Sequence, residues 1–132
     1  DVLGQAKTVS QVLAYIMLAV GGTVIALIML VVVKERTREI GIRKSIGATN
    51  RNILTQFLVE ALLLSWVGSL IGIVLAYVLG LYLGSTTDIS PSFTISSLIT
   101  VIIVATAIGT LSGLVPAAIA ARKDPVEALR DE

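Results

Sequence analysis

Few side chains in this sequence are equipped for chemistry, and those few cluster. There is no Cys and no His, which removes thiol catalysis, disulfides and the usual zinc ligand sets. Six of the ten Lys/Arg fall in one stretch, KERTREIGIRKSIGATNRNILTQFLVEA from Lys34 to Ala61: Lys34, Arg36, Arg38, Arg43, Lys44 and Arg51. The acids form no catalytic pair. Asp88 has no second carboxylate near it in sequence, and Glu60 is the one acid beside a long apolar run. Deep in a membrane, an ionisable group such as Glu60 is a functional candidate. The alternative places it at an interfacial bend, paired with a basic residue of the same stretch, and its amphipathic neighbours favour that reading. The Gly-x-x-x-x-Gly-Lys-Ser/Thr phosphate loop is missing, so these residues do not bind and split ATP in the P-loop manner. Catalytic, metal and cofactor sites are therefore not expected within the chain, nor is a nucleic-acid partner.

The elements that position the basic stretch are apolar. Charged residues make up 14% of the 132 and hydrophobic ones 55%, with a mean hydropathy of +0.94; soluble domains carry about a quarter charged residues. Thr8 to Val33 is a run of 26 residues without a charge, and Ala61 to Thr87 a second of 27. A third spans about Ile95 to Ala121. Roughly 20 apolar residues cross the hydrocarbon core of a bilayer. The fold class is therefore all-α, a polytopic membrane protein with transmembrane helices at 8–33, 61–84 and 95–121. The basic segment 34–60 joins the first two, an uncharged-to-acidic loop 85–94 joins the last two, and 122–132 is a tail. Arg122, Lys123 and Arg130 bring the basic stretch and tail to nine of the ten Lys/Arg, while the other loop has none. Positive loops stay inside, which predicts an external N-terminus and a cytoplasmic C-terminus in the lipid bilayer. Asp1 in place of an initiating Met fits a fragment or processed product, and no signal peptide is visible.

Within the basic segment, Glu39 and Arg43 have the favourable i,i+4 order of a helix. Gly47 suits the position just after a helix end, and Thr49 or Asn50 could cap the next helix. Ile53, Leu54, Phe57, Leu58 and Ala61 then give an amphipathic, interfacial helix that runs into the second span. Three roles fit the charges: holding the loop inside, attracting anionic lipid at about 1 kcal/mol per residue, or docking in a protein cleft. Glu35 and Glu39 interleaved with Ile40, Ile42 and Ile46 favour docking, because a lipid patch needs charge alone whereas a docking helix needs apolar anchors. In the spans, Gly68, Gly72, Ala76, Gly80 and Gly84 recur at fours, as do Ala105, Gly109, Gly113, Ala117 and Ala121. Such small-residue ridges let helices approach closely in lipid, so Gly72→Leu and Gly109→Leu are expected to disturb the bundle more than Val74→Leu. Pro116 should kink the third span. Tyr82 is the best candidate for an interfacial belt residue. Asp124, Pro125 and Glu127 have capping-box spacing for a short helix in the tail.

Two motifs carry a family resemblance. ERTREIGIRKSIGAT, followed by FLVEA, resembles the signature of MacB/FtsX-like ABC-transporter permeases. The ending GLVPAAIAARKDPVEALRDE is similar to the family's C-terminal pattern. The resemblance implies four spans per permease with an extracytoplasmic domain between the first two. These 132 residues match spans two to four, without the first span, that domain or any fused ATPase. It also implies that Arg36, Thr37, Arg38, Glu39, Ile40, Gly41, Ile42, Arg43, Lys44, Ile46, Gly47 and Ala48 form a coupling helix. That helix would dock on a cytoplasmic ABC ATPase subunit, which binds the ATP and Mg. A second permease copy and a bacterial cytoplasmic membrane are implied as well. The expected function is mechanotransmission: ATP-driven motion in the partner is passed across the membrane for export or lipoprotein and peptide handling. The alternatives are a signalling permease that regulates a cell-wall hydrolase or sensor kinase, and a scaffold that uses no nucleotide.

Overall fold

The structure, a computed structural model, describes residues 2–86 and 94–124. Among the described residues every regular element is helical. Helix α1 covers Val2–Glu35, α2 Thr37–Ser45, α3 Asn50–Thr86 and α4 Ile95–Arg122. At about 1.5 Å rise per residue, α1, α3 and α4, with 34, 37 and 28 residues, run to about 51, 55 and 42 Å. A hydrocarbon core is about 30 Å thick, so all three are long enough to cross it, and their composition permits it. Large apolar side chains such as Leu70 and Ile103, both 63% exposed, point outward along them. In water such a surface would drive aggregation, whereas lipid tails solvate it.

The breaks between elements have local causes. Arg36 alone separates α1 from α2, with φ −95° and ψ 15°. After Ser45 the chain stops in a Schellman arrangement: the Ala48 N–H donates to the Arg43 carbonyl at 2.9 Å and the Gly47 N–H to the Lys44 carbonyl at 3.0 Å. This closure needs a left-handed residue, and Gly47 supplies it with φ +105°. Thr49 then caps α3, its Oγ1 accepting from the Asn52 N–H at 3.3 Å. From there α3 is unbroken. The expected change of element at residues 60–61 is absent, and the amphipathic turn of Ile53 and Phe57 is the first part of one continuous helix. Those two residues are 2% and 1% exposed and are held inward by the bundle rather than laid on a membrane surface.

Helix α4 lies in the middle: α3 packs along it on one side and α1 on the other, while α1 and α3 barely meet. The core is concentrated at the basic end, where Met29, Val33, Ile40, Ile53, Phe57, Ala61, Ala117, Ala120 and Ala121 form one buried cluster. Small residues allow the approach. A Cβ on Gly113 would lie 2.5 Å from Ala61 Cβ, and one on Gly109 would lie 2.8 Å from Ser65 Cβ. On the other side, a Cβ on Gly22 would come within 2.9 Å of Ser112 Oγ. Ala105, Gly109, Gly113 and Ala117 all lie on the buried face of α4. Their counterparts on α3 are Ala61 and Ser65, not the glycine ridge. Gly68 and Gly72 have nothing within 4 Å of a would-be Cβ, Ala76 is exposed, and only Gly80 of that set is buried. The reason is divergence: away from the basic end α1 and α3 splay apart and leave an apolar groove of about 840 Å³ floored by Gly68 and Gly72. Helix α4 runs on through the buried Pro116. Most of the 85–94 connection and the capping box beyond Asp124 lie outside the described residues.

Candidate functional site

The site begins with the elbow formed by α2 and the starts of α3 and the end of α4. Helix α2 has nine residues and two faces. Ile40 and Gly41 turn inward, and Ile40, at 2% exposed, joins the core with Ile53 and Phe57. The outward face carries Arg38, Glu39, Ile42 and Arg43, and Ile46, the residue that caps the helix, is exposed beside them. Ile42 is 43% and Ile46 81% exposed, so two branched apolar side chains stand among charged ones. Glu39 and Arg43 make an open i,i+4 contact of 3.9 Å there, worth little in solvent.

Polar side chains fasten this helix to its neighbours. Arg36 Nη1 donates to Glu60 Oε1 at 3.2 Å, so Glu60, inside α3, has a partner from the basic stretch. Gln56 links that pair to α2: its Nε2 donates to Glu60 at 3.4 Å, and its Oε1 accepts from Arg43 Nη1 at 2.6 Å. Lys44 reaches the other way. Its Nζ donates to the Ala121 and Lys123 carbonyls, at 2.6 and 2.7 Å, at the C-terminal end of α4. The Thr37 hydroxyl bonds back to the Val33 carbonyl at 2.9 Å and holds the Arg36 joint. Gly47 and Ala48 close the elbow as described above.

Several of these contacts have no sequence signal of their own. Gln56 reads as one polar residue on an amphipathic helix, and only its i−4 spacing to Glu60 hints at the network. Further along, Ser65 Oγ donates to the Ala105 carbonyl at 2.6 Å and Trp66 Nε1 to Thr106 Oγ1 at 3.0 Å. These bonds pin α3 to α4 at mid-span. Among the described residues no group of three His, Cys, Asp or Glu is placed to hold a metal. Helix α2 is thus two-faced, one side buried against the bundle and the other exposed.

Comparison with known proteins decides the family. The family described as FtsX-like permease C-terminal matches residues 11–125. The chain belongs to that family. This FtsX-like segment is 46% identical over 125 residues to an uncharacterised ABC transporter permease, YknZ, of Bacillus subtilis, covering 95% of the chain and 32% of that protein. It is 42% identical over 130 residues to the macrolide export ATP-binding/permease protein MacB of Mannheimia succiniciproducens, covering 98% of the chain and 20% of that relative. With the pyoverdine export ATP-binding/permease protein PvdT of Pseudomonas putida it shares 48% over 120 residues, 91% of the chain and 18% of that protein. The FtsX-like chain therefore spans about a third or less of the length of these relatives. The matched region takes in the whole elbow and all of α3 and α4.

Proposed function

We propose that the chain is the membrane-embedded permease part of an ABC transporter, and that α2 is the coupling helix on which a cytoplasmic ABC ATPase acts. The ATPase binds and hydrolyses ATP with Mg, and the elbow passes its motion into α3 and α4 for export or for handling of lipoproteins or peptides. The elbow then lies on the cytoplasmic face of a bacterial inner membrane, the N-terminus outside, and the working permease contains a second copy. Names borne by the relatives, which pair ATP-binding with permease in MacB and PvdT, support this reading.

One observation carries it: α2 presents Ile42 and Ile46 outward while Ile40 and the side chains of Arg43 and Lys44 lock it to the bundle. A helix that only held charge inside would need neither feature. Burying a side chain like Ile46 contributes about 1.5–3 kcal/mol, or roughly 10- to 100-fold in affinity. The test is co-purification with candidate ABC ATPase subunits. Ile42→Asp with Ile46→Asp should abolish capture and leave detergent stability unchanged, because both sites are outside the core. Capture that survives the double change rejects the docking surface. Ile46→Cys in this cysteine-free chain should be protected from an impermeant thiol reagent in whole cells; labelling from outside rejects the orientation.

A further inference from the structure

Adjacent residues of α2 hold different helices. Arg43 reaches Gln56 on α3, and Lys44 reaches the last carbonyls of α4. The two attachments differ in kind. The Arg43 contact is between exposed side chains and is open to screening by salt. Lys44 is part-buried, and two of its three ammonium donors go to backbone oxygens at a helix end. Terminal carbonyls of a helix lack intrahelical donors and carry its negative partial charge, so a cation there is held by both geometry and dipole. The partners lie 77 and 79 residues from Lys44 along the chain. By the covalent route, α2 reaches that end of α4 only through the whole of α3 and the following connection.

We propose that Lys44 is a positioning residue that joins α2 and the C-terminal end of α4 into one mechanical unit. Displacement of the elbow is thereby delivered directly to the central helix of the bundle. The inference rests on the reading of α2 as the element a motor acts on. It adds the route by which that push enters the membrane. The choice of α4 matters because α4 alone packs against both other spans, closely through Gly113 and Gly109 toward α3 and through Ser112 toward Gly22 of α1. A push on α4 therefore reaches both neighbours directly, whereas α1 meets α3 less extensively than it meets α4.

The test uses pairs of spin labels on introduced cysteines, since the chain has none of its own. Ser45→Cys with Arg122→Cys reads the α2–α4 distance, and Ser45→Cys with Thr55→Cys reads α2–α3; these sites are exposed. The chain is reconstituted in liposomes without any ATPase. Lys44→Met should broaden the α2–α4 distance distribution about twofold through local opening and leave the α2–α3 distribution narrow. Lys44→Arg, which keeps a cation in reach of the carbonyls, should restore the narrow distribution. An unchanged α2–α4 distribution in Lys44→Met overturns the proposal. So does equal broadening of both pairs, which would make Lys44 a general fold residue. Since no ATPase is present, a failure of the docking reading leaves this measurement untouched, and a failure of the Lys44 link leaves the capture experiment untouched.

Discussion

Replacing Gly113 by Ala adds a single methyl group at a close contact between α3 and α4. The new Cβ would stand 2.5 Å from Ala61 Cβ, whereas carbons in contact sit about 3.5–4.0 Å apart. The helices must therefore part by about 1 Å or more at this level. Neither side has slack to absorb that, because Ala61 and Ala117 are 0% exposed and Phe57 1%. Overpacking at such a contact costs about 1–3 kcal/mol. Gly72→Ala is the matched control: nothing lies within 4 Å of its Cβ position, so it should cost nothing. The strain also has a single source, which makes it reversible. With Ala61→Gly in place, the nearest atoms to the new Cβ are Leu58 Cδ2 at 3.6 Å and Ala61 Cα at 4.0 Å, both ordinary contacts. The assay is reversible unfolding in mixed micelles with rising SDS, followed by helicity and by the fluorescence of Trp66, the chain's one tryptophan. Gly113→Ala should lower stability by about 1–3 kcal/mol, and the double variant should recover most of it, a coupling of at least about 1 kcal/mol. Equal loss in Gly113→Ala and Gly72→Ala, or strict additivity with Ala61→Gly, would refute the packing argument.

Two further substitutions test separate parts of the molecule. Gly47→Ala meets no neighbour within 4 Å, yet must hold φ +105°; the cost should be conformational, about 1–2 kcal/mol, and read as fraying of α2 in amide exchange while α3 and α4 stay protected. Full retention of α2 protection would show that the turn does not need glycine. Ser65→Ala removes the donor to the Ala105 carbonyl and should cost about 0.6 kcal/mol and no more than about 1.7, the average and the maximum for hydrogen bonds between membrane helices. A larger loss would mean that Ser65 acts through more than that bond.

Run length and residue type make much of this protein legible in its sequence. Uncharged stretches of about 20 residues or more have one stable form in a bilayer, the helix, because no water is there to satisfy an open backbone. The three helices that could span a membrane follow from that rule alone. Gly47 is similarly local, since a chain that must turn left-handed after a helix calls for the residue without a Cβ. The paired motifs around Glu39 and Asp124 point to the FtsX-like family for the same reason, being contiguous in sequence. The tertiary structure decided which faces meet. Helical spacing puts Ile42 and Ile46 on one face and Ile40 on the opposite one, but only the docking of α2 onto Ile53 and Phe57 decides which of the two faces turns inward. Spacing also presents Gly68, Gly72 and Ala76 as an obvious ridge, yet these residues line the apolar groove that opens between α1 and α3, and α3 meets α4 through Ala61 and Ser65. Nor does any local pattern pair Lys44 with carbonyls 77 and 79 residues away, or make α4 the middle helix. A one-dimensional pattern records what a segment would bury; the partner, the face and the crossing point depend on how several segments share one volume.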